Sequence, residues 1–257
     1  MTPDSNSDIR IVLVEPSHPG NIGAVARAMM NMDLNRLVLV RPREFPHPEA
    51  TARAAGAESV LASARVVATL AEAIADCGFV AATTARSRDQ HFRVLEVQEA
   101  AVRAVAESRR APVALLFGAE RTGLQNEDLD ASHVLLRIPA SAEYPSLNLA
   151  MAVQLVSYEI FRARGAPGNA GVIRELDAPL ATPPQMQQLY SHLEQVLEEV
   201  DFKDRTKAGT HLMSRIRRFL QRAELDLNEV NILRGILTAI QNRRRMAGAA
   251  HAPKPDA

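Results

Sequence analysis

Between residues 9 and about 162, short compact apolar runs alternate with longer segments whose apolar positions recur every three or four residues. The compact runs, at 10–15, 36–41, 65–68, 78–83, 112–117 and 133–138, are too continuously apolar to be half-exposed and read as strands buried on both faces. The spacing between them predicts helices over 22–32, 48–56, 70–76, 97–109 and 146–162, the last from Leu147, Met151, Leu155, Tyr158 and Phe161. Strand and helix in alternation predict an α/β fold, a mainly parallel sheet flanked by helices.

The pattern then changes. Glycine, proline and asparagine in 164–171 end all periodicity, and prolines at 179–184 prolong the break. Beyond it only helical spacing remains, at 184–200, 209–222 and 228–246. Stripes through Leu189, Leu193, Val196 and Leu197, then Leu212, Ile216, Phe219 and Leu220, then Val230, Leu233, Ile236, Leu237 and Ile240 should pack together as a small all-helical module. The expected organisation is an α/β domain over 9–164, a linker over 165–183, the module over 184–246, and disordered ends at 1–8 and 247–257.

Acidic and basic residues balance at 30 each, so net charge favours no partner class. Their distribution is informative, because residues 1–177 carry a net −3 and residues 178–257 a net +3. Cys77 is the single cysteine and excludes an intrachain disulfide, which fits a reducing, cytoplasmic setting. The polar start and the lack of any membrane-length apolar run argue against a leader or a membrane anchor. Seven scattered histidines show no metal-ligand spacing, and no metal is expected.

Candidate chemistry gathers in loops that follow predicted strands. Pro19-Gly20-Asn21-Ile22-Gly23 forms a turn into a helix, with Asn21 suited to cap it, Gly23 allowing close approach of a backbone or ligand, and Arg27 one turn further on at the helix rim. After the strand at 112–117 come Gly118, Glu120 and Gly123, which match neither a P-loop nor a dinucleotide fingerprint. Tyr144-Pro145-Ser146-Leu147-Asn148 leads into the next helix, with Ser146 as the expected cap and Asn148 in the first turn. A fourth loop, Thr83-Thr84-Ala85-Arg86-Ser87-Arg88, has hydroxyls and arginines suited to phosphate. Neither Ser17 nor Ser146 lies in a nucleophile elbow.

Residues 19–27, Phe117-Gly118-Ala119-Glu120-Arg121-Thr122-Gly123-Leu124, and Ser146-Leu147-Asn148-Leu149-Ala150-Met151-Ala152-Val153, in that order, resemble the three motifs of the SPOUT superfamily of RNA methyltransferases. The helical extension with Asn231-Ile232-Leu233-Arg234-Gly235-Ile236-Leu237 narrows the resemblance to the bacterial tRNA 2′-O-methyltransferases acting on cytidine or uridine at position 32 of the anticodon loop. A non-catalytic RNA-binding relative, or methylation of another RNA site, is the alternative.

The resemblance implies a deep trefoil knot, a homodimer, tRNA as partner and S-adenosylmethionine as cofactor. It places the donor against Thr83, Thr84 and Ala85, then Gly118 and Glu120, then Ile138, Ser146, Leu147 and Asn148. It puts Arg27 at the centre of catalysis, with Asn21, Ser146 and Asn148 fixing donor and nucleophile. A guanidinium holds its proton too firmly to be a ready base, so the expected role of Arg27 is to stabilise a developing alkoxide and hold a phosphate. Arg86 and Arg88, and in the helical module Arg215, Arg217 and Arg218, are the candidate RNA contacts.

Overall fold

A computed structural model describes residues 8–84, 92–165, 178–202 and 212–249, with side chains as far as 243. In chain order the elements are β1 (Ile9–Val14), α1 (Pro19–Met30), β2 (Arg36–Val40), α2 (Pro48–Ala54), α3 (Glu58–Ala62), β3 (Arg65–Val67), α4 (Leu70–Ile74), β4 (Phe79–Thr83), β5 (Val94–Glu96), α5 (Val97–Glu107), β6 (Val113–Phe117), α6 (Asn126–Asp130), β7 (Val134–Arg137), α7 (Leu149–Gly165), α8 (Pro183–Glu199), α9 (Leu212–Ala223) and α10 (Leu227–Ala249). The chain divides into two units, Met1–Glu175 and Leu176–Ala257.

In the first unit the strands form one parallel sheet in the order β3-β2-β1-β6-β4-β7-β5. Side chains alternate across it with the period of two that strands impose. Val12, Val38, Val80, Ala114 and Leu116 point to one face, where Leu70 and Ile74 of α4 and Leu129 of α6 cover them. The opposite face presents Ile11, Leu13, Leu39, Phe79 and Leu115, all essentially inaccessible, to the layer of α1, α5 and α7. Both faces are therefore dry, which is why the strands read as unbroken apolar runs.

Register brings four strand ends together. Leu13 pairs with Phe117, Ala82 with Leu116, and Thr83 with Leu136, so the loops leaving β1, β6, β4 and β7 emerge side by side at the carboxyl edge. Ligands of open α/β sheets bind at such an edge.

Several elements depart from the sequence reading. β5 and α3 were not anticipated: β5 buries only Leu95, and α3 spans five residues, so neither leaves a readable period. α1 begins at Pro19, not Ile22, because His18 is the cap: its Nδ1 accepts the Gly20 N–H at 3.1 Å and Pro19 needs no partner. α7 begins at Leu149, not Ser146, because Asn148 caps it, Oδ1 accepting the Ala150 N–H at 2.9 Å.

In the second unit, Leu189, Tyr190 and Val196 of α8 pack with Leu220 of α9 and Val230 and Leu237 of α10. Phe219, Ile236 and Ile240, expected in that core, are exposed, since three short helices cannot enclose every apolar position of their stripes. Residues 179–181, which composition placed in the linker, pair instead with the turn before α10: Ala181 N–H donates to Leu225 O and Leu227 N–H to Pro179 O.

Candidate active site

The loop after β1 and the loop after β6 are joined by one carboxylate. Oε2 of Glu120 accepts the Ser17 N–H at 2.9 Å and the Ser17 hydroxyl at 2.7 Å, and Oε1 accepts the His18 N–H at 3.2 Å and the Asn21 side-chain amide at 2.9 Å. Burial opposes ionisation of this carboxyl, yet the hydrogen bonds from Asn21 and Ser17 outweigh it and bring its pKa from 4.5 down to about 2. Asn21 is free to make this bond because His18 has taken the cap, leaving Asn21 third in the helix with its side chain toward the strand ends.

A third loop joins through the same amide. Nδ2 of Asn148 donates to Oδ1 of Asn21 at 3.2 Å, while Asn148 Oδ1 holds the start of α7. Glu120, Asn21 and Asn148 thus form a relay that fixes the mutual placement of three loops. Glycines make the middle loop possible: a Cβ on Gly118 would strike the returning Gly123–Leu124 backbone, and Gly123 N–H closes the turn on Ala119 O at 2.8 Å.

Behind the relay lies a pocket of about 320 Å³. Thr83, Thr84, Gly118, Glu120, Ile138, Ser146 and Leu147 all line it. The Thr83 hydroxyl donates to Leu116 O at 2.8 Å, and Thr84 N–H to Leu136 O at 3.0 Å, so these two serve first to seam β4 to its neighbours. Asn148 stands outside the lining, and Ala85, Arg86 and Arg88 lie outside the described residues. Sequence reasoning missed the apolar part, Leu124, Leu136, Leu149 and Ala152, whose pattern is indistinguishable from core, and missed Ser17. The Ser17-His18-Pro19 run, a cap followed by proline at the first helical position, was the signal for the loop's geometry.

Arg27 does not line this pocket. It lies on the exposed side of α1, nearly two turns beyond Asn21, with no hydrogen-bond or ion-pair partner among the described residues. α1 and α7 run alongside each other, Asn21 meeting Asn148 at one end and Arg164 Nη1 donating to Asp33 O at the other. On their outer side Met30, Leu155, Tyr158 and Phe161 are exposed, and Met151 is 62% exposed. Of the helical-unit candidates, Arg215 is exposed, while Arg217 packs over the Tyr190 ring at 4.7 Å. Among the described residues no cluster of three or more acidic, histidine or cysteine side chains could hold a metal, and no helix is long and apolar enough to cross a membrane.

Residues 8–158 match the SpoU rRNA Methylase family, and residues 184–251 match the tRNA methyltransferase TrmJ, C-terminal domain. The chain is 46% identical over 238 residues to the tRNA (cytidine/uridine-2′-O-)-methyltransferase TrmJ of Yersinia pestis (strain Pestoides F), covering 92% of each. It belongs to the TrmJ group of the SpoU methylase family. The TrmJ of Salmonella choleraesuis (strain SC-B67) is 44% identical over 93% of this chain and 98% of its own length. The crystal structure of TrmJ from Z. mobilis ZM4 superposes with a TM-score of 0.76 at 35% identity, covering 90% of this chain and 98% of that one. Within the SpoU methylase domain the three quoted motifs occupy the loops that the Glu120 relay joins.

Proposed function

We infer that this TrmJ-group chain methylates the ribose 2′-hydroxyl of cytidine and uridine in tRNA, with S-adenosylmethionine as donor. The observation that carries the reading is the relay from Glu120 through Asn21 to Asn148, which ties the loop after β1 to the loops after β6 and β7, and those two line one pocket. The lining fits the donor: Leu124, Leu136 and Leu149 offer an apolar bed for an adenine ring, and the turns at 118–123 and 138–147 add polar backbone. When bound, S-adenosylmethionine supplies an electrophilic methyl on a sulfonium leaving group.

The protein's own task is then alignment and charge. Ideal alignment is worth about 7–11 kcal/mol in model reactions. Ser146 in the lining, and Asn21 and Asn148 through the loops they tie, orient donor and ribose, and Arg27 stabilises the negative charge that develops on the oxygen. Arg27 is exposed and does not line its own pocket, and α7, which packs beside α1, exposes Met151, Leu155, Tyr158 and Phe161. An apolar row of that kind marks an interface. The chain works as a homodimer in which Arg27 serves the pocket of the partner subunit.

Further parts of this reading rest on the family resemblance. The tRNA target is position 32 of the anticodon loop. Residues 9–164 form the catalytic domain and the helical unit the RNA-binding module, with Arg86, Arg88, Arg215, Arg217 and Arg218 on phosphates. The sheet closes the superfamily's trefoil knot, in keeping with β4 lying between the later strands β6 and β7. A tRNA substrate and a single cysteine, Cys77, buried and free, suit a cytoplasmic site. Incubation with labelled donor and unmodified tRNA transcripts, followed by digestion and mass spectrometry, tests the reading; a label found on a base, or on no tRNA, overturns it.

A further inference from the structure

One side of α9 carries charge that the packing of the helical unit does not use. Met213, Ile216 and Leu220 form the stripe that this helix turns to the core. Its remaining positions include four arginines, Arg215, Arg217, Arg218 and Arg222, and no aspartate or glutamate. Arg217 is engaged within the unit, lying over the Tyr190 ring and donating from Nη1 to Gln187 Oε1 at 3.0 Å. Arg215 and Arg222 are exposed and Arg218 half-buried, and none of the three has a hydrogen-bond or ion-pair partner among the described residues.

Phe219 stands among these three cations. Helix positions three and four apart are neighbours, so Phe219 shares its face with Arg215 one turn before and Arg222 one turn after, with Arg218 next to it in the chain. Its ring is 51% exposed, while Leu220 beside it is buried in the core. A lone exposed apolar side chain is ordinary on a protein surface. This one is flanked by guanidinium groups with no carboxylate on the helix to pair them, so covering it with an uncharged protein surface would strip water from cations that gain no partner. A polyanion with exposed aromatic faces satisfies both groups at once.

We propose that Phe219 is a stacking platform for one unpaired base of the tRNA, with Arg215, Arg218 and Arg222 on the flanking phosphates; the proposal rests on the tRNA reading above. Bases splayed out of RNA loops stack on aromatic rings and on guanidinium planes. Every base has such a face, so this site adds affinity and orientation and does not select the nucleotide.

The chain has no tryptophan, so Phe219→Trp in the full-length protein puts a single fluorescent indole at the site. Unmodified tRNA should quench it, and a fully paired RNA duplex of the same length should not, because its bases are stacked on one another. Phe219→Leu keeps an apolar side chain and removes the ring face. It should bind tRNA about tenfold more weakly, with the wild-type slope of affinity against salt, whereas Arg215→Gln and Arg222→Gln should each flatten that slope by about one. All these positions are exposed, so donor affinity and melting temperature should stay at wild-type values. Ile232→Ala, which truncates a side chain 63% exposed in α10, is the control and should leave tRNA affinity unchanged. An indole unmoved by tRNA or quenched equally by the duplex, Phe219→Leu within twofold of wild type, or equal weakening by Ile232→Ala would each overturn the proposal. If Phe219→Leu alters sedimentation while tRNA affinity holds, the face belongs to a protein contact and the proposal falls. If wild-type protein transfers no methyl to tRNA while tRNA still quenches the indole, the functional reading falls and the stacking site stands.

Discussion

The side-chain amide of Asn21 donates to Oε1 of Glu120 at 2.9 Å, joining residues 99 apart in the chain, and its oxygen accepts from Asn148. An amide used at both ends transmits displacement, so neither neighbour can move without the other. Asn21→Ala and Asn148→Ala should therefore be non-additive. A double-mutant cycle on kcat/KM should show a coupling of about 0.5–3 kcal/mol, the range for contacting residues. Strict additivity would mean the two asparagines act separately. Asn148→Ala alone should also lower stability by about 0.5–2 kcal/mol through the lost cap of α7.

Glu120 carries a pH signature. Its folded pKa of about 2 lies below the ordinary 4.5, so its bonds stabilise the fold fully above pH 4.5 and are lost as the pH falls through 2. Glu120→Gln removes the charge and leaves amide hydrogens facing the Ser17 and Asn21 donors. This variant should melt at a lower temperature than wild type at pH 7, and the gap should narrow steadily between pH 4.5 and 2. Thermal melts across that interval measure it. A gap independent of pH would show that the carboxylate is not the species holding the loops.

Arg27 has a different expected profile, because it makes no hydrogen bond to the relay and does not line the pocket. Arg27→Ala should cut methyl transfer by about 10²–10³, the scale of losing one oxyanion-stabilising group, while donor binding stays near wild type. If the residue serves the partner's pocket, mixing Arg27→Ala with the pocket variant Gly118→Val should restore activity, since some heterodimers then hold one intact site. Inactivity of each variant alone, with no recovery on mixing, would place Arg27 at its own subunit's site.

How far the sequence revealed this arrangement can be traced through the caps. The sheet was legible because strands dry on both faces leave unbroken apolar runs, and the glycine-bearing loops were legible because they interrupt them. Cap assignment failed twice: Asn21 and Ser146 are good caps by residue type, but His18 and Asn148 do the capping. Local preference could not show that Asn21 is diverted to Glu120, since that bond depends on β1 and β6 lying side by side. Glu120 itself reads locally as a partner for Arg121, and only the fold turns it toward Ser17. Exposure of Phe219 and Ile240 was equally hidden, because a helical stripe records which face is apolar and not how much of it finds cover.

Two glycines should respond to alanine with opposite signs. Gly23 is buried in α1 where a Cβ would collide with the carbonyl oxygen of Ala50 in α2, so the glycine serves helix–helix approach and not a ligand. Forcing these helices apart costs about 1–3 kcal/mol, and because Asn21 lies two residues earlier the strain should also reduce methyl transfer. Gly235, in α10, has no atom within 4 Å of where its Cβ would be. Alanine there relieves the backbone entropy of a mid-helix glycine and should stabilise the helical unit by about 0.8–1 kcal/mol. Denaturant unfolding of both variants checks the pair. A neutral Gly23→Ala would show that α1 and α2 have slack, and the relay would then have to hold α1 in place without α2 behind it.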